Sequence, residues 1–101
     1  MFDFMSMAGT YKQRLVENTT INGAEIDTVR VTDSLQPYET AISHESYNSG
    51  AWVVVEMYDL KELAEIGHAK WVEIFKKEKL PIELKDVSTS TIKRLLDSIS
   101  N

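Results

Sequence analysis

The chain opens its regular patterning with short, alternating runs and closes it with a helical period. Tyr11 to Thr20 reads as a strand. Ile21-Asn22-Gly23-Ala24 is a two-residue hairpin signal, because a type I′ turn needs positive φ at both central positions. Glu25 to Thr32 returns as a second strand with Ile26, Val29 and Val31 as its apolar members. Their spacing is not a strict alternation, which points to a bulge or an early strand end. Asp33 to Pro37 breaks the pattern as a loop. Tyr38 to His44 is a third strand, with Tyr38, Thr40 and Ile42 on one face. Asn48, Ser49 and Gly50 turn the chain into Ala51 to Tyr58, the most apolar strand.

From Asp59 the period changes to that of a helix. Leu60, Leu63, Ala64, Gly67, Trp71, Ile74 and Phe75 fall on one stripe, which predicts a helix over 59–79 whose apolar side faces a sheet. Asp59-Leu60-Lys61-Glu62 resembles a capping box, and Pro81 ends the element. Glu73 and Lys77 are spaced as an i, i+4 pair. His68 lies off the stripe and is expected in solvent. Gly67 lies on it, and close approach of helix and sheet is the simplest reason for a glycine there. Ser88 is placed to cap a short final helix carrying Ile92, Leu95, Leu96 and Ile99. The expected fold is therefore a single α+β domain, residues 1–101: an antiparallel sheet of about four strands in two hairpins, packed by one long helix, with a short C-terminal helix.

Side chains alternate along a strand. Val53, Val55 and Met57 are assigned to the helix, and Trp52, Val54, Glu56 and Tyr58 to the opposite side. That second side needs a cover of its own. Phe2, Phe4, Met5 and Met7, the C-terminal helix, or another protein are the candidates.

Composition narrows the chemistry. With 101 residues, 43% of them hydrophobic, a modest core is available and a deep cleft is not expected. The absence of cysteine excludes disulfides, thiolate catalysis and cysteine-bound metal, and favours an intracellular setting. No apolar run approaches the roughly 20 residues that span a bilayer, and the N-terminus lacks the basic segment of a signal peptide. His44 and His68 have no metal-ligand spacing, and no nucleophile, phosphate-loop or dinucleotide motif is present. A non-enzymatic protein without metal or cofactor is expected.

Charge is unevenly distributed. The net charge is −5, yet Glu17 to Glu65 holds ten acidic residues against two basic ones, a net of −8. Such a segment repels nucleic-acid phosphate and suits a basic protein surface. Glu25 and Asp27, two apart, share a strand face. The residues expected to meet a partner are Glu25, Asp27, Asp33, Glu39, Trp52, Glu56 and Tyr58, and homo-oligomerisation is a further use of the strand side that carries Trp52, Val54 and Tyr58. A different class of function, sequestration of a planar nucleotide-like ligand, would draw on Arg30, Tyr38, His44, Tyr47 and Trp52.

Several segments carry a resemblance. They are Met1 to Gly9, Val31-Thr32-Asp33-Ser34 with Pro37-Tyr38-Glu39-Thr40-Ala41, Tyr47-Asn48 with Gly50, and Trp52 to Glu56 with Tyr58-Asp59. Gly67-His68 followed by Lys70-Trp71-Val72, and Asp86-Val87-Ser88-Thr89, complete the set. Together they resemble a group of small uncharacterised bacteriophage and prophage proteins. The resemblance implies a viral product acting in the host cytoplasm and transfers no activity or functional residue. By analogy of class, small acidic phage proteins often bind and block a host protein, including a defence nuclease of the kind that anti-CRISPR proteins target. A virion or assembly component is the remaining alternative.

Overall fold

A computed structural model describes residues 11–31 and 36–88. Four strands, β1 (Leu15–Ile21), β2 (Ala24–Arg30), β3 (Tyr38–Ser43) and β4 (Val53–Tyr58), are followed by helix α1 (Lys61–Lys76). The strands form one antiparallel sheet in the order β1-β2-β3-β4, a meander in which each strand pairs with its successor. The helix lies across one face of all four. The expected α+β architecture is the observed one. The C-terminal helix expected from Ser88, the N-terminal aromatic and methionine residues, and Asp33 lie outside the described residues.

The β1–β2 turn follows its sequence. Asn22 and Gly23 have φ of 49° and 81°, and Ile21 pairs with Ala24 across them. The Asn22 side chain also donates to the Phe75 carbonyl at 2.9 Å, tying the hairpin to the end of α1. The expected strand from Tyr11 is shorter than the pattern suggested: residues 11–14 are helical and β1 begins at Leu15. Between β3 and β4, residues 48–50 form a short 3₁₀ turn, with Asn48 and Ser49 at positive φ.

Helix α1 is also shorter than its apolar stripe suggested. It starts at Lys61, and Leu60 is its cap residue with no side-chain cap bond, so the Asp59 capping box does not form. It ends at Lys76, and Lys77 is already extended. Near that end Lys76 pairs with Glu73 at 2.9 Å, an i, i+3 contact in place of the expected Glu73–Lys77 pair. The stripe is rotated as well. Ala64, Gly67, His68 and Phe75 are buried, whereas Leu60 and Leu63 are exposed.

The core beneath the C-terminal half of α1 is apolar. Ala24, Ile26, Ile42, Tyr47, Val53, Val55 and Phe75 form it, with Ile21, Trp71, Val72, Ile74, Leu80 and Leu84 around them. Phe75 is fully buried and meets the Tyr47 ring edge-on at 6.1 Å between centroids. The Tyr47 hydroxyl donates to the Pro81 carbonyl at 2.6 Å, which holds the chain after the helix against the sheet.

Candidate functional site

Two groups of polar residues stand out on opposite faces of the sheet. The first lies under the N-terminal half of α1. Its origin is a bulge in β4. Thr40 pairs with Glu56, but Ala41 pairs with Val54, so Val55 has no residue opposite it. An extra residue resets the alternation. Val53 and Val55 face the helix as expected. Beyond the bulge, Glu56 and Tyr58 face it too. The expected assignment of Glu56 and Tyr58 to the side away from the helix, together with Trp52, is therefore corrected. Met57, expected toward the helix, pairs with Glu39 on the other side.

This inward turn builds a continuous rail of hydrogen bonds across the sheet. The Tyr58 hydroxyl donates to Glu56 Oε1 at 2.9 Å. Tyr58 and Thr40 are 3.0 Å apart, Thr40 and Thr28 2.6 Å, and Thr28 Oγ1 and His68 Nδ1 2.7 Å. His68 Nε2 then reaches Thr19 Oγ1 at 2.9 Å and Glu17 Oε2 at 3.1 Å. At the other end Glu56 Oε1 also accepts from Lys70 Nζ at 2.6 Å and from Trp71 Nε1 at 2.9 Å. The lysine ammonium lies 5.2 Å from the Trp71 ring centroid. Thr28, Thr40 and His68 are fully buried. His68, expected in solvent, is thus a core residue, because the sheet below it presents hydroxyls rather than methyl groups.

Electrostatics follow from this packing. Burial pushes His68 below its ordinary range, and Glu17 and Asp27 offset part of that. Burial pushes Glu56 up, but the bonds from Lys70, Trp71 and Tyr58 outweigh it and hold the carboxyl below its usual range. Burial raises Tyr58, and its bond to the Glu56 carboxylate adds to the rise. Gly67 makes the arrangement possible. A Cβ there would run into the hydroxyl and ring of Tyr58.

The second group occupies the face away from α1. Glu25 and Asp27 of β2 and Glu39 of β3 share it. Asp27 is opposite Ala41 and Glu39 opposite Val29, so these two carboxylates are diagonal neighbours. Asn18 of β1 donates to Glu25 at 3.1 Å and to Asp27 at 2.8 Å, and the Tyr11 hydroxyl donates to Asp27 at 2.5 Å. Burial, with the Asp27 carboxylate beside it, pushes Tyr11 up to about 12. Glu39 is pushed up by burial and by the like charges of Asp86 and Asp27. Four acidic groups from three segments thus act on one patch.

The residues expected to surround a planar ligand are not brought together. Arg30 and Tyr38 pair at one end of the β2–β3 ladder. His44 follows the far end of β3, six residues from Tyr38 and about 20 Å away at the usual strand rise, and Tyr47 lies in the turn after it, its amide bonded to the His44 carbonyl at 3.0 Å. Both are buried, His44 tilted and Tyr47 edge-on against the Phe75 ring, and the Ser46 amide donates to His44 Nδ1 at 3.0 Å. Trp52, just before β4, is 47% exposed. The rail was missed from sequence because its threonines and histidine have no motif spacing. They meet only through strand register and the β4 bulge.

Among the described residues, no group of three or more His, Asp or Glu side chains is placed to hold a metal ion. No helix among them is long and apolar enough to cross a membrane. No protein-family model, curated protein or solved structure matches the chain.

Proposed function

We propose that this protein is a non-enzymatic binding protein whose acidic sheet face engages a basic surface on another protein. The observation that carries the reading is the convergence of Glu25, Asp27 and Glu39 on the face away from α1, with Asp86 near enough to act on Glu39. Gathering like charges costs stability, and a cationic partner would relieve that cost on binding. The resemblance to small phage proteins supplies the setting: a host protein in the bacterial cytoplasm, with a nucleic-acid-binding nuclease of host defence as the class of target. A nuclease groove that holds phosphate presents the charge this face complements. Trp52 offers an exposed aromatic contact. Glu56 and Tyr58 leave the list of contact residues, since their polar atoms are committed to the rail. A non-enzymatic role is supported by the same commitment: the polar atoms of His68, Tyr58 and Glu56 are taken up by the hydrogen-bonded chain beneath the helix.

Immobilised protein incubated with host lysate tests the reading. The wild type should retain a basic host protein at low salt and at physiological salt. Retention should weaken as salt rises and disappear in the Glu25→Gln, Asp27→Asn, Glu39→Gln triple variant. A wild type that retains nothing at either salt, or a triple variant that retains the same protein unchanged, would rule the acidic face out.

A further inference from the structure

The rail assigns its own protons. Each hydroxyl has one hydrogen to donate. The Tyr58 hydrogen goes to the Glu56 carboxylate. Tyr58 must then accept from Thr40. With its hydrogen used, Thr40 accepts from Thr28. Thr28, used in turn, accepts from His68, so Nδ1 carries a hydrogen whether the ring is neutral or charged. Nε2 is the one atom left with two options, and it has two neighbours that suit them. Thr19 Oγ1 at 2.9 Å can donate to a neutral ring. Glu17 Oε2 at 3.1 Å can accept from a charged one.

We infer that His68 is a proton-operated latch between β1 and α1, bonded to Thr19 when neutral and transferring its hold to Glu17 when protonated. The placement suits a latch. β1 is an edge strand, so its outer side has no sheet neighbour among the described strands. Glu17 and Thr19 are adjacent on the same side of it, and Glu17 begins where a register shift interrupts the pairing with β2. The charged groups around His68 are Glu17 on β1, Asp27 on β2, Glu56 on β4 and Lys70 on α1. Glu17 and Asp27 favour the imidazolium, while Lys70 is neutralised by Glu56. β3 contributes the uncharged Thr40. Burial opposes the charge, so protonation requires more acid than for a histidine in water.

Ring ¹⁵N spectra of the full chain, followed through pH, test the inference. At alkaline pH His68 should show the hydrogen on Nδ1. Thr19→Val removes the donor to the neutral ring and should raise the titration midpoint. Glu17→Gln removes the partner of the charged ring and should lower it. Each shift should be on the order of one pH unit, a tenfold change in proton affinity. Thr19→Ser should restore the wild-type midpoint. Amide exchange of residues 17–20 should change with the protonation of His68 before that of β3 does. A hydrogen on Nε2 at alkaline pH would overturn the inference on the wild type alone. Midpoints that move together in Thr19→Val and Glu17→Gln, or do not move, would overturn it as well.

Discussion

The two halves of the helix–sheet interface are held by different physics. Under the C-terminal half, Phe75, Ile26, Ile42 and Val53 are buried against one another, and stability scales with the apolar area removed from water. Under the N-terminal half, the sheet presents Thr28, Thr40 and Tyr58 to His68 and Gly67. There each buried polar atom is tolerated only because it has a partner. The apolar half should be graded in its response to substitution, losing stability with each methyl group removed. The polar half should be all-or-none, since removing one link leaves its neighbour without a partner. That difference also separates tolerance: the first half can be repacked with other hydrophobes, the second cannot be altered one residue at a time.

Phe75→Ala is expected to have the largest effect. The side chain is fully buried and contacts both His44 and Tyr47. Its removal should cost about 3–5 kcal/mol, read as a lowered midpoint in urea at unchanged slope. Gly67→Ala comes next and has the opposite sign from its helix propensity. Alanine would favour the helix by about 1 kcal/mol at an open site. Here its Cβ meets the Tyr58 ring, so helix or tyrosine must move, breaking the link between Thr40 and Glu56. A net loss of about 1–3 kcal/mol is expected. A gain in stability would show that the helix does not sit as closely on Tyr58 as the interface requires.

These two residues also show how much was legible in the sequence. Phe75 was readable, because a large hydrophobe at helical spacing has one low-energy place to go. Gly67 was readable as a close approach, though not its partner. Tyr58 was not readable, since a single unpaired residue at Val55 inverts every face assignment after it, and nothing in a run of valines marks which one bulges. His68 was misplaced for a related reason. Its burial depends on Thr28 and Thr40 pairing across β2 and β3, a tertiary match invisible to helical periodicity. The acidic face was partly legible. Alternation put Glu25 and Asp27 together, but bringing Glu39 diagonal to Asp27 required the register of β3.

The all-or-none character of the polar half can be measured by a cycle. Thr40→Val keeps the shape of the side chain but leaves Thr28 without an acceptor and Tyr58 without a donor. A loss of about 1–3 kcal/mol is expected, as for other unsatisfied buried groups. Adding Thr28→Val to Thr40→Val should cost less than the two single changes combined, because the orphaned hydroxyl is removed with its partner. Additive losses would place the two threonines in independent environments and break the contrast with the apolar half.

The smallest expected effect concerns the outer face. Glu39 is held above its ordinary range, first by burial and then by Asp86 and Asp27. A carboxyl raised in the folded state binds its proton more tightly there than in the unfolded chain. Stability therefore rises as pH falls through the raised value toward the ordinary one of 4.5, and at neutral pH the ionised Glu39 is a net cost. Glu39→Gln should remove that cost and stabilise the protein by a few tenths of a kcal/mol near pH 7, with the advantage shrinking as the wild type becomes protonated. Urea midpoints of the two proteins at neutral and mildly acidic pH make the comparison. A destabilised Glu39→Gln at neutral pH would mean that the carboxylate has a compensating cation, and the outer face would then lack the unrelieved negative charge on which binding to a basic surface depends.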